Sequence, residues 1–122
     1  MKAAWRQISA LLVLLTGHTA FAADALILGF HAHNPANITA AASTGYSAIR
    51  LWDTGTDWAS LKPQRDQWNF ERIDAYLAAS QKAHLKVLWT LGNTPRWASA
   101  RLNERCAYGY GCAAEPANIE DW

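Results

Sequence analysis

The sequence predicts an α/β fold built on parallel strands, and three observations carry that expectation. Strand-like apolar runs alternate with helix-patterned segments in the order strand, helix, strand, helix, strand. No two-residue hairpin turn separates those strands. The runs are also almost continuously apolar, the pattern of a sheet covered on both faces rather than one. Parallel neighbours need crossover connections, and the intervening helices supply them.

The first strand is read in Ala25-Leu26-Ile27-Leu28-Gly29-Phe30, which opens into the polar cluster His31, His33, Asn34 and Pro35. Ile38 to Ala42 is Ala-rich and suits a short helix closed by Ser43-Thr44-Gly45. Tyr46 to Trp52 is a second strand, aromatic and branched, ending at Asp53-Thr54-Gly55. The clearest helix follows Asn69, a capping residue, with Glu71 in the first turn where the helix dipole favours an anion. Phe70, Ile73 and Leu77 recur at helical spacing before Lys82 and His84 near its end. Leu85 to Leu91 is the third strand, running into Gly92-Asn93-Thr94-Pro95. From Gly92 to Trp122 the chain reads as loop, with Ile119-Glu120-Asp121-Trp122 as the first turn of a further helix.

A chain of 122 residues, 51% apolar and 17% charged, has the balance of a globular domain or part of one. Lys2 and Arg6 precede the apolar run Ile8 to Leu15, and Ala20-Phe21-Ala22 supplies small residues for cleavage. Residues 1–22 are therefore expected to be a secretory leader cleaved after Ala22, and the mature protein to be periplasmic or secreted. A stable membrane anchor needs roughly 20 apolar residues, and Thr16, Gly17 and His18 interrupt the run before that. Without the leader, nine basic residues face ten acidic ones, which leaves no electrostatic footprint for nucleic acid. Nothing in the sequence sets an oligomeric state.

Cys106 and Cys112 are the only cysteines and share one Gly/Tyr-rich loop, so an oxidising compartment would join them. Such a short closure contributes about 2 kcal/mol on a chain-entropy account, enough to order a loop. Two Cys without a nearby His supply too few ligands for a closed zinc site, so no metal and no cofactor is expected.

In parallel α/β folds the chemistry gathers at the C-terminal ends of the strands. Those ends carry His31 and His33, then Arg50, Trp52 and Asp53, then Trp89, Asn93 and Trp97. Aromatic faces stack on sugar rings while Arg, His and Asn satisfy hydroxyls, so the mixture suits a carbohydrate site. Two roles fit Arg50: pointing into the pocket beside Trp52, or clamping strands by pairing with a buried carboxylate. His31 and His33 share one face and invite a metal reading, against which hydrogen bonding at a pocket rim stands. Trp58, Trp68 and Phe70 are expected to pack structurally. Asp53 is the only carboxylate at a strand end and reads as a hydrogen-bonding or turn residue, because glycoside hydrolysis ordinarily needs a flanking pair.

A longer series of residues resembles a known family. Ala48-Ile49-Arg50-Leu51-Trp52-Asp53, Trp58, Lys62-Pro63, Asp66 to Phe70 with Ile73-Asp74, and Val87 to Ala98 together resemble the N-terminal third of glycoside hydrolase family 39 and its relatives. The resemblance implies a retaining (β/α)8-barrel glycosidase. It implies that residues 23–122 are a partial TIM barrel holding only the first three β/α units. It implies that Arg50 supports a nucleophilic carboxylate, and that His31 and Trp89 contact substrate or line its pocket. The family's acid/base and nucleophilic Glu residues end strands four and seven, which fall outside these three units. Asn103-Glu104 matches the acid/base dipeptide, but no apolar strand precedes it and it reads as coincidence. Pro116 and Asp121-Trp122 fit the helix that precedes the fourth strand in relatives. The expectation is an exported glycosidase fragment without its own catalytic pair. The alternatives are a non-catalytic secreted carbohydrate-binding protein and a small secreted interaction module held by Cys106 and Cys112.

Overall fold

A computed structural model describes residues 26–122. The leader read at residues 1–22 lies outside the described residues, as does Ala25. Three parallel strands form the centre: β1 (Gly29–Phe30), β2 (Ala48–Leu51) and β3 (Lys86–Trp89), in the spatial order β1-β2-β3. Gly29 pairs with Ala48, and Ile49, Arg50 and Leu51 pair with Val87, Leu88 and Trp89. Helix α1 (Ile38–Ala42) makes the first crossover, while α2 (Trp58–Leu61) and α3 (Glu71–Lys82) make the second. Each strand is shorter than its apolar run, and among the described residues β1 and β3 each pair on one side only.

Side chains alternate across a strand, so one face of β2 presents Ile49 and Leu51 and the other Arg50. Ile49 and Leu51 are fully buried against Ile38 of α1, Leu61 of α2 and Ile73 and Tyr76 of α3. Arg50 is exposed, and its neighbour in register, Leu88, is 62% exposed. The sheet is therefore covered by helices on one face and open on the other among the described residues.

Helix α3 begins where the sequence places it, and Asn69 Oδ1 accepts a hydrogen bond from the Glu71 N–H (3.1 Å). Its packing stripe is rotated from the expected one: Ile73, Tyr76 and Ser80 are buried, whereas Phe70 and Leu77 are 48% and 41% exposed. Tyr76 causes the difference, because its hydroxyl donates to the Ala32 carbonyl (2.9 Å) and draws the ring into the core. That burial raises the Tyr76 phenol above its ordinary value.

Two elements were not apparent in the sequence. Asp57 caps α2 by accepting from the Ser60 N–H (2.8 Å), so the segment between β2 and α3 holds a turn of helix. Further on, β4 (Arg105–Cys106) and β5 (Gly109–Tyr110) pair antiparallel across Ala107 and Tyr108. The Cys106–Cys112 disulfide closes this hairpin, with Cα atoms 6.0 Å apart. Ile119–Asp121 forms a 3-10 turn capped by Asn118. No helix among the described residues is long and apolar enough to cross a membrane.

The two faces of the sheet should respond differently to truncation. Leu51→Ala is expected to lower unfolding free energy by about 2–5 kcal/mol through the cavity it leaves. Leu88→Ala should stay within about 0.5 kcal/mol, as exposed substitutions do. Urea unfolding followed by tryptophan fluorescence measures both, and equal costs would contradict an open face.

Candidate functional site at the strand ends

The loops that follow the three strands meet at one end of the sheet, and backbone hydrogen bonds tie them together. After β1, His31 and His33 are exposed while Ala32 between them is buried. The two imidazoles lie 4.5 Å apart, centroid to centroid. His33 Nδ1 donates to the Asp53 carbonyl (3.1 Å), so the loop after β1 is joined to the loop after β2. Arg72 of α3 braces the same joint, donating from Nη2 to the His33 carbonyl (3.0 Å) and from Nε to that of Thr54. Gly55 sits at this joint with φ 68°, a left-handed backbone that glycine adopts without steric cost.

After β2, the Arg50 guanidinium lies over the Trp52 ring, 5.0 Å from its centroid. Among the described residues no carboxylate pairs with Arg50. The Trp52 indole lies beside Gly92, where an added Cβ would rest in ordinary van der Waals contact with it, at 3.4 Å. Asp53 adopts a left-handed backbone (φ 53°), and its carboxylate accepts a hydrogen bond from the Tyr108 hydroxyl (2.5 Å). The hairpin is thereby tethered to the end of β2.

After β3, Asn93 also takes a left-handed backbone (φ 61°) and donates from Nδ2 to Asp57 Oδ2 (2.8 Å). The carbonyls of Gly92 and Asn93 accept from the N–H groups of Trp58 and Ala59 (both 3.1 Å), which docks the loop onto the start of α2. Asp57 thus divides its two oxygens between the α2 cap and Asn93. Trp52, Asp53, Thr54, Thr56, Asp57 and Asn93 enclose a gap of about 10 Å³, at the lower limit for one water.

The structure gathers His31, His33, Trp52, Asp53 and Asn93 at the joined loop ends, with Arg50 against Trp52. Trp89 and Trp97 lie elsewhere. Trp89 is in register with Leu51, on the helix-covered side, and its Nε1 donates to the Thr56 carbonyl (2.7 Å). It opens onto an apolar cleft with Trp58, Trp68, Phe70 and Trp122. Trp97 donates to the Lys62 carbonyl (2.9 Å) and carries the Lys62 and Arg65 cations on its ring, at 5.2 and 4.9 Å. Glu104 is half exposed and paired with Arg101. Among the described residues no group of three or more His, Cys, Asp or Glu is arranged to hold a metal ion.

A larger groove of about 430 Å³ adjoins the strand ends and shares Asp57 and Asn93 with them. Thr94, Arg96, Tyr108, Tyr110 and Cys112 complete its wall. Asp57, Arg96, Tyr108 and Tyr110 are absent from the residues singled out by sequence. Their signals were the capping pattern Asp57-Trp58-Ala59-Ser60 and the two Tyr framed by Gly109, Gly111 and the cysteines. Comparison of the chain with protein-family models, curated proteins and solved structures finds no match.

The hydrogen bond to Asp53 holds the Tyr108 phenol above its ordinary value of 10.0, with the nearby Asp53 and Asp57 charges acting the same way. A raised phenol keeps its proton longer folded than unfolded, so the tether is fully present below pH 10 and lost as pH climbs through the folded value. Alkaline absorbance titration, differenced against Tyr108→Phe, isolates this ring. Asp53→Ala should bring its midpoint down to the ordinary range, and an unmoved midpoint would exclude the bond.

Proposed function

We propose that this chain is the opening part of an exported (β/α)8-barrel glycosidase, and that alone it binds carbohydrate without cleaving it. The observation that carries the reading is the meeting of the loops after three parallel strands, in chain order, with His31, His33, Arg50, Trp52, Asp53 and Asn93 at that end. Ligands of parallel α/β folds sit at that end of the sheet. Among the described residues the edges of β1 and β3 are free and the face beside Arg50 and Leu88 is open, which supports a sheet that further strands would extend.

In that reading the intact enzyme cleaves an O-glycosidic bond with retention, using two glutamates on later strands, and requires no cofactor. Arg50 is the charged partner of the nucleophilic carboxylate, which is supported by its lack of a carboxylate partner among the described residues. Trp52 presents its ring beside Arg50, and His31, His33 and Asn93 are hydrogen-bonding groups at the rim. Export rests on the leader read at residues 1–22.

A specific observation also favours the non-catalytic alternative, a secreted carbohydrate-binding protein. The strand-end carboxylate Asp53 is engaged by Tyr108, and the α2 cap Asp57 by Ser60 and Asn93, so neither stands ready as an acid or a nucleophile. Both readings predict the same behaviour of this chain. Purified, it should release no sugar from neutral oligosaccharides or aryl glycosides, while its tryptophan fluorescence responds to at least one neutral oligosaccharide. Trp52→Ala should weaken that response about tenfold, the loss of a stacking contact. Turnover that survives the double change Asp53→Ala and Glu104→Ala would overturn the proposal.

A further inference from the structure

The groove beside the strand ends has no role in the reading above. Its volume of about 430 Å³ lies within the roughly 300–1,000 Å³ of small-molecule sites. It is lined by the start of α2 with Asp57 and Ser60, by Asn93 and Thr94 after β3, and by Arg96 with the disulfide-closed hairpin. Its charged lining is one carboxylate and one guanidinium, so it favours neither an anion nor a cation. Tyr110, half exposed, supplies an aromatic ring, with the Arg96 guanidinium 5.7 Å from its centroid. Among the described residues the Tyr110 hydroxyl has no hydrogen-bond partner. An aromatic ring set among amide, hydroxyl and guanidinium groups, without net charge, matches the alternating apolar faces and hydroxyl edges of a neutral sugar.

The walls are also held before any ligand arrives. Thr94 donates its N–H to the Cys112 carbonyl (3.1 Å) and its hydroxyl to that of Ala114 (2.5 Å). The Cys112 N–H points at Cys106 Sγ (3.1 Å), and Tyr108 ties the hairpin tip to Asp53. Preorganisation of this kind lowers the ordering cost of binding.

We infer that the groove between α2 and the disulfide-closed hairpin is a subsite for a neutral sugar ring, contacted by Asn93, Thr94, Arg96 and Tyr110. The inference rests on the carbohydrate reading and adds to it: a glycan lying across Trp52 at the strand ends continues past Asp57 and Asn93 into this groove. The disulfide is part of the subsite, because it fixes the wall that carries Tyr110.

The test is an amide NMR titration of the full chain with neutral tetrasaccharides of glucose, xylose, mannose and galactose. For at least one of them the largest shifts should fall on Asn93, Thr94, Arg96 and Tyr110. Tyr110→Ala and Arg96→Gln should each weaken that sugar about tenfold while spectra elsewhere stay dispersed. Reduction of Cys106–Cys112 by excess dithiothreitol should weaken it similarly, with the core amides unmoved. Should Tyr110→Ala lose its dispersed spectrum, Arg96→Gln and the reduced protein carry the test. Shifts confined to His31, Arg50 and Trp52 would overturn the subsite and leave the carbohydrate reading standing. No shift with any of the four sugars would overturn both.

Discussion

A parallel strand cannot be joined to its neighbour by a tight turn, and that constraint governs the arrangement of this molecule. Each return journey from the end of one strand to the start of the next must cross the sheet. The helices that make the crossings bring the apolar residues that bury Ile49 and Leu51. β2, paired on both sides, supplies the two central side chains of that core, α1 and α2 each add one residue to it, and α3 adds two. Because all crossings begin at the same end of the sheet, three loops must share that space. Topology brings the polar residues there together, and hydrogen bonds such as those of His33 to Asp53 and Asn93 to Asp57 then hold them.

Sharing the space requires unusual backbone. Asp53 and Asn93, one at the end of β2 and the other at the end of β3, are two of the three non-glycine residues with positive φ among the described residues. Left-handed backbone costs roughly 1–2 kcal/mol for most residues and least for Asp and Asn. Here each is fixed by its own side chain, Asp53 by Tyr108 and Asn93 by Asp57. Arg72, reaching from α3 to two loop carbonyls, completes the bracing. Strain concentrated where loops converge is a common property of ligand sites, and the bracing confines it to a few residues beside a well-packed core.

Much of the scaffold was legible in the sequence because it is written in period and punctuation. β2 and β3 lie within their apolar runs, Ile38–Ala42 is a helix, and Asn69 sits at the start of α3, whereas of the first run only Gly29–Phe30 forms strand and Leu26, Ile27 and Leu28 are exposed. The stripe of α3 is not legible by period, because hydrophobicity favours Leu77 whereas Tyr76 gains a buried hydrogen bond that no periodicity reveals. Helix α2 was missed because four residues are too few to show a period, and its cap was the only cue. Of the strand-end residues, those on or next to β2 could be assigned to faces by alternation. Trp97 could not, since the chain beyond Gly92 follows hydrogen bonds such as that between Thr94 and Cys112 rather than a repeating pattern. The groove residues Tyr108 and Tyr110 have no periodic signal for the same reason, and only the glycines and cysteines that frame them mark their loop.

The spacing of the two cysteines bears on the order in which the molecule assembles. They are six residues apart, so the hairpin can close as soon as that segment meets an oxidant. Pairing β1 with β2, or β2 with β3, instead requires much longer stretches of chain to be gathered first, and that entropic cost slows their formation. The covalent bond therefore places no demand on the sheet, and the sheet places none on the bond. The hairpin's register is thus set within its own seven residues, and Tyr108 and Thr94 are the contacts that join it to the strand ends.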